Sequence, residues 1–246
     1  YNICPGVDFM ATQPNYKGAL TQYMTHPEEW TYHIPEGMTT LEGALVEPAA
    51  VGMHAAVLGG ATVGKSIVIL GAGAIGLMVL QACLSLGAKD ITVVDVIEKR
   101  LELAKKLGAA RVINGKEQDT VAVLRSEELY GDHGIDLVFE AAGAVFTAQQ
   151  AVQLVARGGK IMMVGTQSKP VPIDFLKINR EVTIQTSFRY CNNFPQTIEA
   201  IASGRFNVKD MVTNVYDYKD VQIAFEEAID PVKKTEMVKG VVKVAE

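Results

Sequence analysis

Residues 66–95 read S-I-V-I-L-G-A-G-A-I-G-L-M-V-L-Q-A-C-L-S-L-G-A-K-D-I-T-V-V-D, and this stretch decides the fold. An apolar β-type run over 66–70 meets the glycines Gly71, Gly73 and Gly76. The chain then passes into a helix-period segment ending near Gly87 and returns as a second apolar run closed by Asp95. The pattern predicts one strand, turn, helix, strand unit, and each residue type in it meets a demand of a dinucleotide. Gly71 allows the tight turn off the strand, Gly73 lets the backbone approach a pyrophosphate with no Cβ in the way, and Gly76 lets the helix pack close to the strand. The first helical turn, with Ala74 and Ile75, offers free N–H groups and the positive end of the helix dipole to the phosphates. Asp95 falls about twenty residues after the glycines, where a carboxylate accepts the adenosine ribose hydroxyls and repels a 2′-phosphate, which favours NAD over NADP. The alternative is a glycine turn between packed elements, with Asp95 merely solvated.

Downstream, the alternation predicts helices over 98–107, 120–129 and 146–155 and strands over 111–113, 135–139, 160–164 and 182–187. Repeated strand and helix with glycine-bearing connections predicts an α/β fold, a doubly wound parallel sheet of Rossmann type. Upstream, Pro5, Pro14 and Gly18 mark an irregular start, and Thr- and Tyr-rich runs over 19–26 and 30–34 predict short strands. Thr39 and Glu42 are spaced as a capping box before a helix in which Pro48 should impose a kink or restart. The C-terminal region predicts helices over 195–203 and 220–229 and a strand over 240–244, with no second glycine fingerprint. The expected division is a dinucleotide-binding domain over 48–189, with 1–47 and 190–246 as the remaining part of a discontinuous substrate domain.

Composition narrows the function classes. The 246 residues are 48% hydrophobic and 21% charged, enough to bury a sizeable core. A formal net charge of -5 argues against nonspecific nucleic-acid binding. No apolar run approaches the ~20 residues of a membrane span, so the expectation is a cytoplasmic protein without a membrane partner. Cys4, Cys83 and Cys191 are widely separated and odd in number, which fits reduced thiols better than a disulfide framework.

Several residues are candidates for chemistry. Phe139-Glu140-Ala141-Ala142-Gly143 and Val164-Gly165-Thr166 end two strands on the edge where a ligand crevice lies, so they are expected to line the nicotinamide half of the groove; ordinary turns are the alternative. Glu47 precedes Pro48 in a core-directed helix, where a carboxylate is seldom buried unless paired or bound to a metal; a solvated helix face is the other reading. Phe188-Arg189-Tyr190-Cys191-Asn192 places an arginine beside two aromatics, able to grip a hydroxyl-rich substrate or to form an exposed hinge. The four histidines show no ligand spacing with one another.

The runs Y-N-I-C-P-G-V-D-F-M-A-T from Tyr1, G-A-L-V-E-P-A-A-V-G-M-H-A from Gly43, G-A-G-A-I-G from Gly71 and F-R-Y-C-N-N from Phe188 resemble the zinc-dependent medium-chain dehydrogenases, and within them the sorbitol (L-iditol) and polyol dehydrogenases. The resemblance implies NAD and zinc as cofactors and oxidation of a polyol secondary alcohol to a ketose. It places Asp95 and Arg100 on the adenosine ribose, and it places Phe9, Arg189 and Tyr190 in the polyol pocket. Ala142, Val164, Gly165, Phe188 and Arg189 are also expected to bind the cofactor. Glu47 would stand at the catalytic zinc and Cys4 at a structural zinc. It also implies a homodimer or homotetramer paired through the sixth strand. Family members carry the other zinc ligands upstream of the position of Tyr1. The expectation is therefore a piece of a larger enzyme that binds NAD without turnover. A further alternative is a relative acting on a sugar phosphate, butanediol or threonine.

Overall fold

The computed structural model describes residues 1–10 and 18–244. The turn marker Pro14 and the last two residues of the F-M-A-T run lie outside the described residues. Helix α1 (Thr40–Ala44) starts at the expected capping box: the Glu42 amide donates to Thr39 Oγ1 at 3.3 Å and the Thr39 amide to Glu42 Oε2 at 2.8 Å. Leu45 breaks the helix, and α2 (Val46–Gly59) begins anew with Pro48 in its first turn, where a missing N–H deprives no intrahelical bond.

The unit that opened the sequence is present with the bounds it predicts: β1 (Ser66–Leu70), α3 (Ala74–Ser85) and β2 (Asp90–Asp95). The alternation continues as α4 (Glu98–Lys106), β3 (Arg111–Asn114), α5 (Thr120–Leu124), β4 (Ile135–Glu140), α6 (Val145–Leu154), β5 (Val155–Met163) and β6 (Thr183–Thr186). Every pairing is parallel, in the order β3-β2-β1-β4-β5-β6. This is the Rossmann order, with the topological switch between β1 and β4. Successive β1 side chains explain its unbroken apolar run: Ile67 and Ile69 join the core under α2, α3 and α4, while Val68 and Leu70 join the core under α5 and α6. A sheet covered on both faces has no polar alternation to display.

Helix α7 (Phe194–Ala202) returns the chain to α2, against which it packs. Then follow β7 (Val212–Asp217), α8 (Val221–Ile229), α9 (Lys233–Glu236) and β8 (Lys239–Lys243), with β7 and β8 forming a separate parallel pair. The strands expected over 19–26 and 30–34 do not form. Instead Trp30 N and Thr31 Oγ1 both donate to the Pro27 carbonyl, at 3.1 and 3.0 Å, closing a single 3-10 turn at Glu28–Trp30. Among the described residues these runs have no neighbouring strand, and β-favouring residue types without a ladder partner do not make a strand. No helix among the described residues is long and apolar enough to cross a membrane.

Candidate functional site

The three glycines after β1 answer to different constraints. Gly71 sits at φ +108°, a conformation L side chains rarely adopt, and a Cβ there would also press on the Ala142 amide nitrogen at 2.9 Å. A Cβ on Gly76 would overlap the Gly71 carbonyl, so glycine is required for the helix to close on the strand. Gly73 has φ −71° and ψ −178°, open to any residue, and a Cβ there would meet no atom within 4 Å. Neither backbone strain nor packing demands glycine at this position. It is the N-cap of α3, no side chain caps that helix, and the first-turn N–H groups stand without an internal partner. An empty cradle at an uncapped helix N-terminus suits a phosphate group.

Asp95, at the end of β2, braces this turn. Its Oδ2 accepts from the Ala72 amide at 2.7 Å, and its Oδ1 accepts from the Val96 and Ile97 amides at 2.8 and 2.9 Å. The carboxylate is thereby fixed in direction, with part of its acceptor capacity left over. Arg100, on α4, donates from Nη2 to the Lys234 carbonyl at 2.9 Å, tying this edge to α9.

Across the switch point, Ala142, Val164 and Gly165 are brought together by Glu140, whose role in joining the two loops the sequence did not disclose. Glu140 is fully buried. Its Oε1 accepts from the Ala142 amide at 3.0 Å, the Gly143 amide at 2.8 Å and Thr147 Oγ1 at 2.7 Å, and its Oε2 accepts from Gln167 Nε2 at 2.7 Å. The Val164 and Gly165 amides both donate to its backbone carbonyl at 2.8 Å. One residue thus sets the loops that follow β4 and β5. Gly165 fits only because a Cβ would strike Gly143 and the Glu140 carboxylate.

The third part is a groove of about 530 Å³ between the N-terminal segment and the turn after β6, lined among others by Cys4, Phe9, Trp30, Arg189, Tyr190 and Phe194. The Arg189 guanidinium lies 3.8 Å from the Phe9 ring centroid and 5.0 Å from that of Phe188, a stacked cation over aromatic faces. Arg189 and Asn192 hold positive φ angles of 53° and 52°. The turn is pinned by Asn2 Nδ2 donating to the Phe188 carbonyl at 2.8 Å and by the Asn192 amide donating to the Tyr1 hydroxyl at 3.2 Å. Asn193 Nδ2 also donates to the Ala50 carbonyl of α2 at 2.7 Å. Glu47 enters through Tyr190, whose hydroxyl donates to its carboxylate. Loss of water raises the Glu47 pKa, while Lys239, the Tyr190 hydrogen bond and Arg189 oppose the rise. Burial first, and then the Glu47 charge, push the Tyr190 phenol up to about 12. Lys239, at the start of β8, is a neighbour of Glu47 that no sequence pattern announced; the two are 192 positions apart.

The predicted residues therefore fall into three groups: the glycine turn with Asp95, the loops joined by Glu140, and the groove with Phe9, Arg189, Tyr190 and Glu47; the Arg100 side chain is tied instead to α9. Cys4 lines the groove and is exposed. Among the described residues no group of three or more His, Cys, Asp and Glu side chains is arranged to hold a metal ion. A catalytic zinc takes three protein ligands. The described donor set does not fit one.

Residues 74–203 match the family model described as zinc-binding dehydrogenase. Over 246 residues the chain is 62% identical to the uncharacterised zinc-type alcohol dehydrogenase-like protein YdjJ of Escherichia coli, covering all of this chain and 70% of that relative. It is 39% identical over 232 residues to a sorbitol dehydrogenase of Bacillus subtilis, covering 93% of this chain and 65% of that one. A crystal structure of an Escherichia coli oxidoreductase/dehydrogenase of unknown specificity superposes with a TM-score of 0.96 at 61% identity, covering 100% of this chain and 70% of that chain.

Proposed function

We propose, from the premise that the chain belongs to the zinc-binding dehydrogenase family, that it holds NAD and one side of the substrate pocket for oxidation of a polyol secondary alcohol to a ketose. The observation that carries the cofactor half is Gly73, a glycine that neither its φ nor its packing requires. Ala74, Ile75 and Gly76 would give their amides to the pyrophosphate, and Asp95 and Arg100 would take the adenosine ribose. Ala142, Val164, Gly165, Phe188 and Arg189 would border the nicotinamide, which when bound supplies hydride acceptance.

On the substrate side, the guanidinium of Arg189 and the phenol of Tyr190 supply directed donors over the apolar floor of Phe9, a combination suited to several hydroxyls on one small molecule. The Tyr190 proton stays on its oxygen near neutral pH and fixes the Glu47 carboxylate. Glu47 is the candidate for a catalytic zinc and Cys4 for a structural one. The described residues alone do not assemble the three protein ligands a catalytic zinc takes. The reading of a cytoplasmic homodimer or homotetramer joined through β6 rests on family resemblance and on the unpaired outer edge of that strand. The division into a dinucleotide domain over 48–189 and a second part over 1–47 and 190–246 is likewise proposed.

The test compares NADH and NADPH binding to the wild type and to Asp95→Ala. The wild type should prefer NADH by about tenfold or more, and the variant should lose most of that preference as the repulsion of a 2′-phosphate disappears. Supplied with zinc, NAD and sorbitol, this polypeptide should bind cofactor without turnover. Failure to bind NADH, or a preference unchanged by the substitution, removes the cofactor assignment; clear zinc-dependent turnover removes the ligand argument.

A further inference from the structure

We propose that a second, cationic pocket at the opposite end of the sheet binds a phosphate-bearing anion. The cofactor crevice lies beyond the carboxyl ends of the strands, whereas this pocket, of about 330 Å³, is lined by the residues that precede or begin β4, β5 and β6. Its walls carry Arg125, Arg157, Lys177 and Arg180 against the single lining carboxylate of Asp132, with His133 beside it. The whole chain carries a formal net charge of -5, so a concave cluster of four cations runs against the average of the surface.

Arg125 has a structural task. It donates from Nε to the Gln153 carbonyl at 2.9 Å, from Nη1 to the Gly131 carbonyl at 3.1 Å and from Nη2 to the Val155 carbonyl at 3.1 Å, which accounts for the electronegative end of α6. The other three cations are not accounted for in this way. Among the described residues, the Arg157, Lys177 and Arg180 side chains make no hydrogen bond and no ion pair. They are nevertheless held close to one another. The Gly158 amide donates to the Arg180 carbonyl at 2.8 Å, which sets Arg157 beside Arg180. Glu181 adopts φ +58°, rare for a residue other than glycine, and directs the chain from Arg180 into β6. Gly134 closes the wall: a Cβ there would meet Arg125 Nη1 at 2.7 Å and Ala156 at 3.0 Å. Burial lowers the pKa of Arg125, Asp132 opposes that, and Arg157, close enough to be felt, adds a smaller lowering.

Guanidinium groups in a concavity recognise the tetrahedral oxygens of phosphate by paired, charge-assisted hydrogen bonds. The same chemistry is met by a free phosphorylated metabolite or by a phospholipid headgroup. The site is independent of the dinucleotide assignment. The experiment titrates inorganic pyrophosphate into the full 15N-labelled chain and follows amide resonances. Saturable shifts are expected at residues 125, 132–133, 155–157 and 176–182, and the double variant Arg157→Gln/Arg180→Gln should weaken binding there by about tenfold or more. Both substituted side chains are exposed and unpaired, so circular dichroism should report an unchanged fold. Sedimentation with phosphatidylcholine vesicles containing about 30% phosphatidylglycerol distinguishes the sources. Pelleting that the double variant abolishes assigns a headgroup, and pyrophosphate binding without pelleting assigns a soluble ligand. No shift at these residues, shifts confined to residues 71–76, or equal affinity of wild type and variant would overturn the proposal.

Discussion

Replacing Gly73 by alanine separates ligand approach from folding. The backbone at this position, φ −71° and ψ −178°, accepts alanine without strain, and the new methyl would meet no protein atom within 4 Å. Alanine is a poorer N-cap than glycine by up to about 1 kcal/mol. It also restricts the unfolded chain, which returns about 0.4–1 kcal/mol. The two terms nearly cancel, so the melting temperature should move by no more than about 3 °C for a chain of this size. Binding should behave otherwise. A methyl in the cradle displaces the pyrophosphate from at least one charge-assisted amide hydrogen bond, a loss of about 1.5–3 kcal/mol, or roughly 10- to 150-fold in NADH affinity. Gly76→Ala is the contrasting control, because its Cβ overlaps the Gly71 carbonyl and α3 must shift off the strand. Overpacking of that kind destabilises by about 1–3 kcal/mol or more. Differential scanning fluorimetry and NADH fluorescence titration on both variants give the comparison. A Gly73→Ala protein that binds NADH within twofold of wild type, or that melts as low as Gly76→Ala, would refute the reasoning.

Two further outcomes follow from hydrogen-bonded carboxylates. Glu140→Ala leaves three part-buried donors, the Ala142 and Gly143 amides and Gln167 Nε2, without an acceptor, while Thr147 Oγ1 keeps the Ala144 carbonyl; it should destabilise by about 2–4 kcal/mol. Glu140→Gln keeps an acceptor at Oε1 and can donate to Gln167 Oε1, a buried atom that now has no partner, so it should lose less than about 1 kcal/mol; chemical denaturation of the pair checks the difference. Asp136 receives the Ser66 amide and hydroxyl, both at 2.9 Å. Burial alone would raise its pKa, but these bonds, with Lys65 and His133, hold it below the usual aspartate value. Its contribution to stability is therefore complete above about pH 4, the unfolded value, and is lost as pH falls through the lower folded value. Asp136→Asn should flatten the stability profile in that acid window, and urea melts between about pH 2 and 5 would show it.

What could be read in the sequence was what depends on neighbours in the chain. The turn at Gly71, the cap at Thr39 and the restart at Pro48 are local demands of sterics and hydrogen bonding, and all three stand where the residue types place them. Residues 19–26 and 30–34 misled because Thr, Tyr and Trp describe a surface that suits a strand, while a strand also needs a second chain segment to pair with. β7 went unseen for the converse reason: its short polar alternation acquires meaning only beside β8, whose first residue lies 22 positions beyond its end. The site divided in the same way. The glycines and Asp95 were visible as a spacing, and Glu47 and Tyr190 as candidates by residue type and by family resemblance, but the pairing of Glu47 with Tyr190 and Lys239 is a product of tertiary folding. Glu140 looked like the end of a strand because nothing in its flanks reveals that four donors converge on it.

A Cβ at Gly52 would collide with the backbone of Met78 at 2.5–2.6 Å, so α2 and α3 approach main chain to main chain. Glu47 rides on the first of these helices and the glycine turn leads into the second. The separation of the Glu47 carboxylate from the glycine turn is therefore set by the packing of these two helices. The other wall of the groove is joined differently: the segment over 1–10 meets the turn over 188–192 through hydrogen bonds that each pair a side chain with backbone, Asn2 with Phe188 and Tyr1 with Asn192.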